Sequence, residues 1–242
     1  MKIKQILTSC AAVFALASST AEAEKLKGYV SIGGDYVREL SHRSHYDTYI
    51  GDVHDALNIK DPLSSDGLGA NVRGGILLGN GYGLELEIEG RINSSEKHGN
   101  IRLLNEILKT KMRLAEYRGE IWANAFREFH PFADQSTLYF GTGAGLLMDK
   151  TDIDFGYDGT YFAEVGESYA YDASGIGFGA RLFAGSSFQV YKHLFVNVRS
   201  GLKLGKMKVK IEKISSDEEI LPDRARKTIL EMDVNANLEW KF

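Results

Sequence analysis

The chain is nearly without cysteine. Its one thiol, Cys10, stands among the first apolar residues of a 242-residue sequence, where cleavage of an export signal would remove it. A mature chain without cysteine has no disulfide, no thiolate metal centre and no cysteine nucleophile. Long apolar runs are equally scarce. Past Ala23 no segment approaches the roughly 20 consecutive apolar residues of a membrane helix, and mean hydropathy is −0.23. Nor does one sign of charge dominate: 29 lysines and arginines stand against 33 aspartates and glutamates, which gives no reason to expect a nucleic-acid partner. Two classes keep this composition. One is a soluble secreted domain. The other is a transmembrane β-barrel, whose strands alternate lipid-facing apolar residues with polar residues facing inward.

The first residues read as an export signal. Lys2 and Lys4 supply a positive start, Ile6 to Ala17 an apolar run, and Ala21 and Ala23 the small residues at −3 and −1 of a signal-peptidase site. Residues 1–23 are therefore expected to be a signal peptide and 24–242 the mature chain. Leu7-Thr8-Ser9-Cys10 superficially matches a lipoprotein box, but most of the apolar run follows the cysteine rather than preceding it.

The far end decides between the two classes. Leu230, Met232, Val234, Ala236, Leu238, Trp240 and Phe242 fall on one face, and Glu231, Asp233, Asn235, Asn237, Glu239 and Lys241 on the other. A strict period of two over that length is long for a soluble strand and right for a tilted membrane-spanning one. The same signature recurs at about Gly28–Val37, Leu68–Leu78, Tyr82–Ile92, Arg113–Phe126, Leu138–Leu146, Ser174–Phe188 and Leu194–Lys206. With the last strand this makes about eight, an even number as barrel closure in bacterial outer-membrane proteins requires. The expected fold is all-β: a closed, antiparallel, up-and-down transmembrane β-barrel.

Connections alternate in length. Gly79–Gly81, Arg127–Gln135 and Gln189–His193 are short, while 41–67, 94–112, 149–173 and 207–226 are long and read as extracellular loops. Tyr29, Phe126, Phe129, Phe132, Phe188, Tyr191 and Trp240 gather near the short turns, as an aromatic girdle at the headgroup level would.

These alternating strands, together with Pro131-Phe132 leading into Leu138–Gly145, the glycine-rich sixth strand and the terminal Trp240-Lys241-Phe242, resemble the small outer-membrane β-barrel superfamily. It includes opacity-type surface antigens, the OmpA membrane domain and OmpX-like proteins. The resemblance covers the whole mature chain in pattern. It implies a place in the outer membrane of a Gram-negative bacterium, contact with lipopolysaccharide, and recognition of Trp240 and Phe242 as an assembly signal by the barrel-assembly machinery. An OmpA-type protein would continue into a peptidoglycan-binding domain, whereas this sequence stops at the last strand. That favours the single-domain surface-antigen and OmpX-like branches, which the resemblance links to adhesion, host contact and immune exposure.

The inward positions carry charge of both signs: Asp35, Arg73, Glu85, Glu87, Glu89, Arg91, Glu116, Arg118, Glu120, Arg181, Arg199, Lys203, Glu231, Asp233 and Glu239. An eight-stranded barrel has an interior that side chains can fill, and buried ions must pair because an unpaired one costs several kcal/mol. A salt-bridged core is expected, with Arg73 level with Glu87 or Glu89 and Lys203 level with Asp233. The alternative is a narrow diffusion pore or a purely membrane-stabilising barrel.

Enzyme activity is not expected. Ser41, His42, Ser44, His45, Asp47, Asp52, His54 and Asp55 hold the residue types of a hydrolase or a metal site. One loop cannot hold nucleophile, base and orienting group in place, and no ligand pair has a recognised metal-site spacing. No cofactor is expected. The third loop is more suggestive of function. It is acidic and interleaves Tyr157, Tyr161, Phe162, Tyr169 and Tyr171, and tyrosines give large contact area at low entropic cost. They are the candidate contacts with a host or surface protein, unless the flanking strands run on as a hairpin and pair them across it.

Overall fold

The computed structural model describes residues 27–40, 49–50, 52–53, 55, 66–78, 81–103, 106–130, 136–158, 168–215 and 221–242, the side chains of 101–103, 106–108, 157–158, 168 and 215 excepted. The expected signal peptide, residues 1–23, lies outside the described residues.

Eight strands follow one another: β1 Lys27–Glu39, β2 Gly67–Leu77, β3 Tyr82–Leu103, β4 Glu106–Phe129, β5 Ser136–Asp158, β6 Ser168–Tyr191, β7 Leu194–Ser215 and β8 Arg224–Lys241. Each pairs antiparallel with its neighbours in sequence, and β1 closes the ring on β8 from Tyr29↔Lys241 to Glu39↔Glu231. The expected up-and-down barrel is the fold that forms. Through the part that β1 and β2 span, closure leaves no sheet edge, which a membrane demands because lipid cannot satisfy free backbone N–H and C=O groups.

Alternation sets the two faces. Val30, Ile32, Val72, Ile88, Phe178, Leu182, Leu202 and Val234 point outward and are exposed, Phe178 at 73%. Their sequence neighbours Ser31, Asn71, Arg73, Glu87, Glu89, Arg181, Lys203 and Asp233 point inward and are buried. The β2–β3 turn closes as a tight hairpin. Gly81 takes φ +81°, a left-handed angle that glycine adopts without cost, and Leu78 N donates to Tyr82 O at 2.7 Å.

Two expectations need correction. Tyr29 and Phe126 do not join the outer girdle; both point into the barrel and are buried. Phe129, Phe188, Tyr191 and Trp240 do face outward, while Phe132 lies outside the described residues. Three of the outer connections are also shorter than the sequence pattern predicts. β3 and β4 stay in register to Leu103↔Glu106 through the expected loop 94–112. β5 and β6 pair as far as Gly156↔Ser168 through 149–173, and β7 and β8 as far as Lys210↔Arg224 through 207–226. The reason is physical. The lipid-facing alternation stops where the bilayer stops, but backbone pairing does not depend on lipid and continues into water.

Candidate functional site: the barrel interior and its outer mouth

The interior is built in layers. At the end with the short turns, Tyr29, Leu77, Phe126, Tyr139 and Phe183 form an apolar floor, their rings meeting edge to face at 5.8–6.4 Å. The floor is tied to the polar layer above it. The Tyr29 hydroxyl donates to Glu85 at 2.6 Å and that of Tyr139 to Asn197 at 2.7 Å.

Above the floor lie the paired charges. Glu85 accepts from Arg199 and from Asn124, each at 2.7 Å. Glu87 accepts from Arg199 at 2.5 Å and from Arg181, and lies 4.0 Å from its cross-strand neighbour Arg73. One layer up, Lys203 donates to Glu89 at 2.7 Å and Glu120 at 2.8 Å, with Asp233 at 3.3 Å. Next, Glu231 receives both guanidinium nitrogens of Arg91, at 2.8 and 3.0 Å, and one of Arg118. The top polar layer joins Arg118 to Glu116, and Lys227 to Glu116 at 2.8 Å and Asp149 at 2.9 Å.

All twelve lumen positions expected to pair are thus brought together: Arg73, Glu85, Glu87, Glu89, Arg91, Glu116, Arg118, Glu120, Arg181, Arg199, Lys203 and Asp233. Sequence reading assigns Glu231 no partner, counts Asp149 among the acidic residues of the third loop, where the structure turns it inward on β5, and passes over Lys227 and Trp122. The signal for Lys227 and Asp149 is parity: carrying the period of two onward from Glu231 and Gly145 reaches both. Trp122 is fully buried, donates to Glu120 at 2.8 Å and lies under the Arg181 guanidinium at 4.8 Å. Its indole fits because Gly145 faces it; a Cβ there would stand 2.4 Å from the ring.

Toward the far end the interior changes character. Met112, Leu147, Ile153, Phe155, Tyr169, Tyr171, Ala173, Met207, Val209, Ile211, Ala225 and Ile229 all point inward and form one apolar cluster. Residues 49–50, 52–53 and 55 are helical and drop Ile50 and Val53 into the same cluster. Asp52 and Asp55 belong to this stretch; Ser41, His42, Ser44, His45, Asp47 and His54 lie outside the described residues. His193 sits at the opposite end, 5.8 Å from Trp240.

Of the five aromatic residues expected on the third loop, Tyr169 and Tyr171 are on β6 and buried, stacked with Phe155 at 5.2 and 5.8 Å. They are not exposed loop residues: the hairpin runs on past the bilayer and turns them inward as cross-strand neighbours. Tyr157 lies on β5, its backbone opposite Thr110. Tyr161 and Phe162 lie outside the described residues. Phe242 sits at the barrel seam, exchanging backbone hydrogen bonds of 2.9 Å with Gly28 of β1.

The outside carries a belt of bare apolar side chains. On β8 it runs from Trp240 to Leu230, ten residue steps, which is roughly 25 Å of height at the usual strand tilt of about 40°. That matches the apolar band of an outer-membrane barrel. Strands of 22–24 residues are about twice what spanning requires, so β3 to β7 stand well above the belt. The end with the start of β1, the end of β8 and the short turns is the periplasmic one.

No protein-family model matches the sequence, and no curated protein matches it. Solved structures do. Neisserial surface protein A is 14% identical, with 89% of this chain and 97% of that chain covered and a TM-score of 0.40. The attachment invasion locus protein of Yersinia pestis, in complex with the heparin analogue sucrose octasulfate, is 12% identical over 89% and 99%, with a TM-score of 0.40. A major outer membrane protein from Thermus thermophilus is 9% identical over 90% and 100%, with a TM-score of 0.46. By its own closed ring and the apolar belt it turns to lipid, the chain is a small eight-stranded β-barrel of the bacterial outer membrane.

Proposed function

We propose that this barrel is a non-catalytic surface protein whose outer extension contacts partners outside the cell, as an adhesin or surface antigen does. The observation that carries this reading is the filled interior. An aromatic floor, four charged layers and an apolar cap occupy the described lumen in succession, so the side chains left free to act are those on the protruding strand ends and loops. A diffusion pore would need a continuous polar path past the cap, and the inward residues there are Met112, Ile153, Phe155, Met207 and Val209. Tyr157, Tyr161 and Phe162 remain the proposed contacts of the third loop. The acidic residues around them suit a partner with basic patches, whose association slows as salt screens exposed charge beyond about 8 Å.

The test replaces residues 159–167 with a glycine–serine linker and spares Phe155, Tyr169 and Tyr171, which hold the cap together. Whole-cell binding should fall to background while the heat-modifiable folded band is kept. Full binding by the loopless barrel overturns the reading, and so does steady conductance of the intact barrel in planar bilayers. A tag at Gly159 should be accessible on whole cells and one at Asn80 inaccessible.

Trp240 and Phe242 serve in the same proposal as the assembly signal. Deleting Phe242 is expected to lower outer-membrane levels more than it lowers the unfolding midpoint of the refolded barrel. Unchanged surface abundance removes the assignment.

A further inference from the structure

Charge is shared unevenly along the lumen. Just above the floor Arg73, Arg181 and Arg199 stand with Glu85 and Glu87. In the two upper layers Arg91, Arg118 and Lys227 stand with Glu231, Glu116 and Asp149. Between these levels Lys203 alone serves Glu89, Glu120 and Asp233. Asp35 adds a fourth carboxylate there, facing Lys203, Glu89, Arg91 and Asn71. Seven cations thus meet nine carboxylates in the described layers, and the shortfall of two charges falls beside Asp35.

Asp35 is 5% exposed, and neither of its carboxylate oxygens has a hydrogen-bond partner among the described residues. A carboxylate so buried is costly unless a positive charge meets it. A second set of atoms surrounds it. Asn71 and Asn237 are buried, and both polar atoms of each amide are likewise without a hydrogen-bond partner among the described residues. The register gathers these side chains on three adjoining strands. Gly33 lies between Asn71 of β2 and Asn237 of β8, and Asp35 faces Gly69 of β2. The two glycines let the side chains lean across the wall. A Cβ at Gly33 would stand 2.2 Å from Asn237 Oδ1, and one at Gly69 would stand 2.6 Å from an Asp35 carboxylate oxygen. Glu89 is the cross-strand neighbour of Asn71. Lys203 bonds to both its oxygens, but a carboxylate has lone pairs for further partners.

We infer that this wall holds a calcium ion, bound by the carboxylates of Asp35 and Glu89 and the amide oxygens of Asn71 and Asn237. The donors are all oxygen, which suits a hard cation rather than a soft transition metal, and a charge of two closes the shortfall. Among the described residues no three His, Cys, Asp or Glu side chains are set to hold a metal by themselves, so amide oxygens and water complete the shell. Calcium accepts such irregular shells of roughly six to eight oxygens, whereas magnesium demands near-octahedral geometry. With the aromatic floor below and the apolar cap above, the ion enters as the barrel folds and is then enclosed. The site is independent of the third-loop reading, so replacing residues 159–167 should leave it unchanged.

The test unfolds the mature chain in denaturant with a chelator and refolds it in detergent with or without calcium. The metal that survives gel filtration in calcium-free buffer is then counted. Barrel refolded with calcium should retain about one ion per chain. Its thermal unfolding midpoint should exceed that of the calcium-free protein, because a ligand bound only by the folded state stabilises that state. D35N keeps the shape of the side chain and removes its charge; it should retain no calcium and unfold at the same midpoint with and without it. N71A removes a neutral donor and should retain clearly less than the parent, and it decides the matter if D35N does not fold. On the outer wall Asp152, Asp172 and Glu212 stand side by side across β5, β6 and β7. The control D152N/D172N/E212Q should therefore retain calcium as the parent does. No metal in the refolded parent, full retention by D35N, or loss in the control instead overturns the assignment. So does a midpoint that ignores calcium and rises with acid, since a proton would then balance Asp35. The heat-modifiable band shows that each variant is folded when measured.

Discussion

The upper half of this barrel continues β3 to β8 of the lower half with the opposite polarity. β7 shows the reversal within one strand. In its lower half Val198, Leu202 and Leu204 face out and Asn197, Arg199 and Lys203 face in; in its upper half Lys206, Lys208 and Lys210 face out and Met207, Val209 and Ile211 face in. Only the surrounding solvent differs. Against lipid the outward set must be apolar, so the alternation leaves the polar set inside, where it is held by ion pairs and hydrogen bonds. Against water the outward set is charged, and the inward set builds the hydrophobic cap that a soluble β-protein would build. The lower half takes its order from geometry, since each buried ion must meet a partner, and the upper half takes its order from packing.

That contrast makes removal of a charge below the largest expected effect. Glu231→Ala would strand Arg91 in the interior, leave Arg118 with Glu116 and Asp149 alone and should cost about 3–5 kcal/mol, read as a fall in unfolding free energy in denaturant titrations of the lipid-reconstituted barrel. A loss no larger than that of an exposed pair would mean the lower lumen is hydrated and its charges screened. In the cap, Phe155→Ala should cost about 3 kcal/mol through lost burial and a cavity. The increase in hydrogen exchange should be confined to the protruding ends of β4 to β7; exchange that rises equally around Glu87 would show that the two halves unfold as one.

On the outer face, Val234→Arg stands near the middle of the belt and should cost about 2–4 kcal/mol. Arg226→Val, on the same strand and face but above the belt, should stay within about 0.5 kcal/mol. Equal losses from these two would place the bilayer boundary wrongly. The smallest effect belongs to the exposed pair Glu96–Lys111. The hydrogen bond from Lys111 holds the Glu96 carboxyl below its ordinary value, so its contribution is present above the unfolded carboxylate value and disappears as pH falls through the folded one. Glu96→Gln should flatten that acid-side change slightly and leave the neutral-pH unfolding midpoint in place at high salt. A clear shift of the midpoint would show that the pair is coupled to the cap.

The belt and the charged lumen are legible in the sequence because both follow from a period of two, and Leu230 to Phe242 display it without interruption. Periodicity names a face but not a neighbour. That Glu231 takes Arg91 and Arg118, or that Lys203 serves Glu89 and Glu120, follows from strand tilt and from the crossing of a narrow lumen by long side chains. The upper half is hidden for a related reason. Its inward apolar residues keep the parity of the charged ones below, so the pattern of lipid-facing residues breaks off at Leu204 while the strand continues, and Tyr169 and Tyr171 look like loop residues.

Sequence alone determined the number of strands, their direction and, Tyr29 and Phe126 apart, which side chains meet lipid, since these depend on alternation and turn spacing along one chain. Tertiary structure decided where β1 closes on β8, which charges pair across the lumen, and that the tyrosines of β6 turn inward to cap it. Those are contacts between residues far apart in sequence, set by the stagger at which the ring closes, and no local pattern records that stagger.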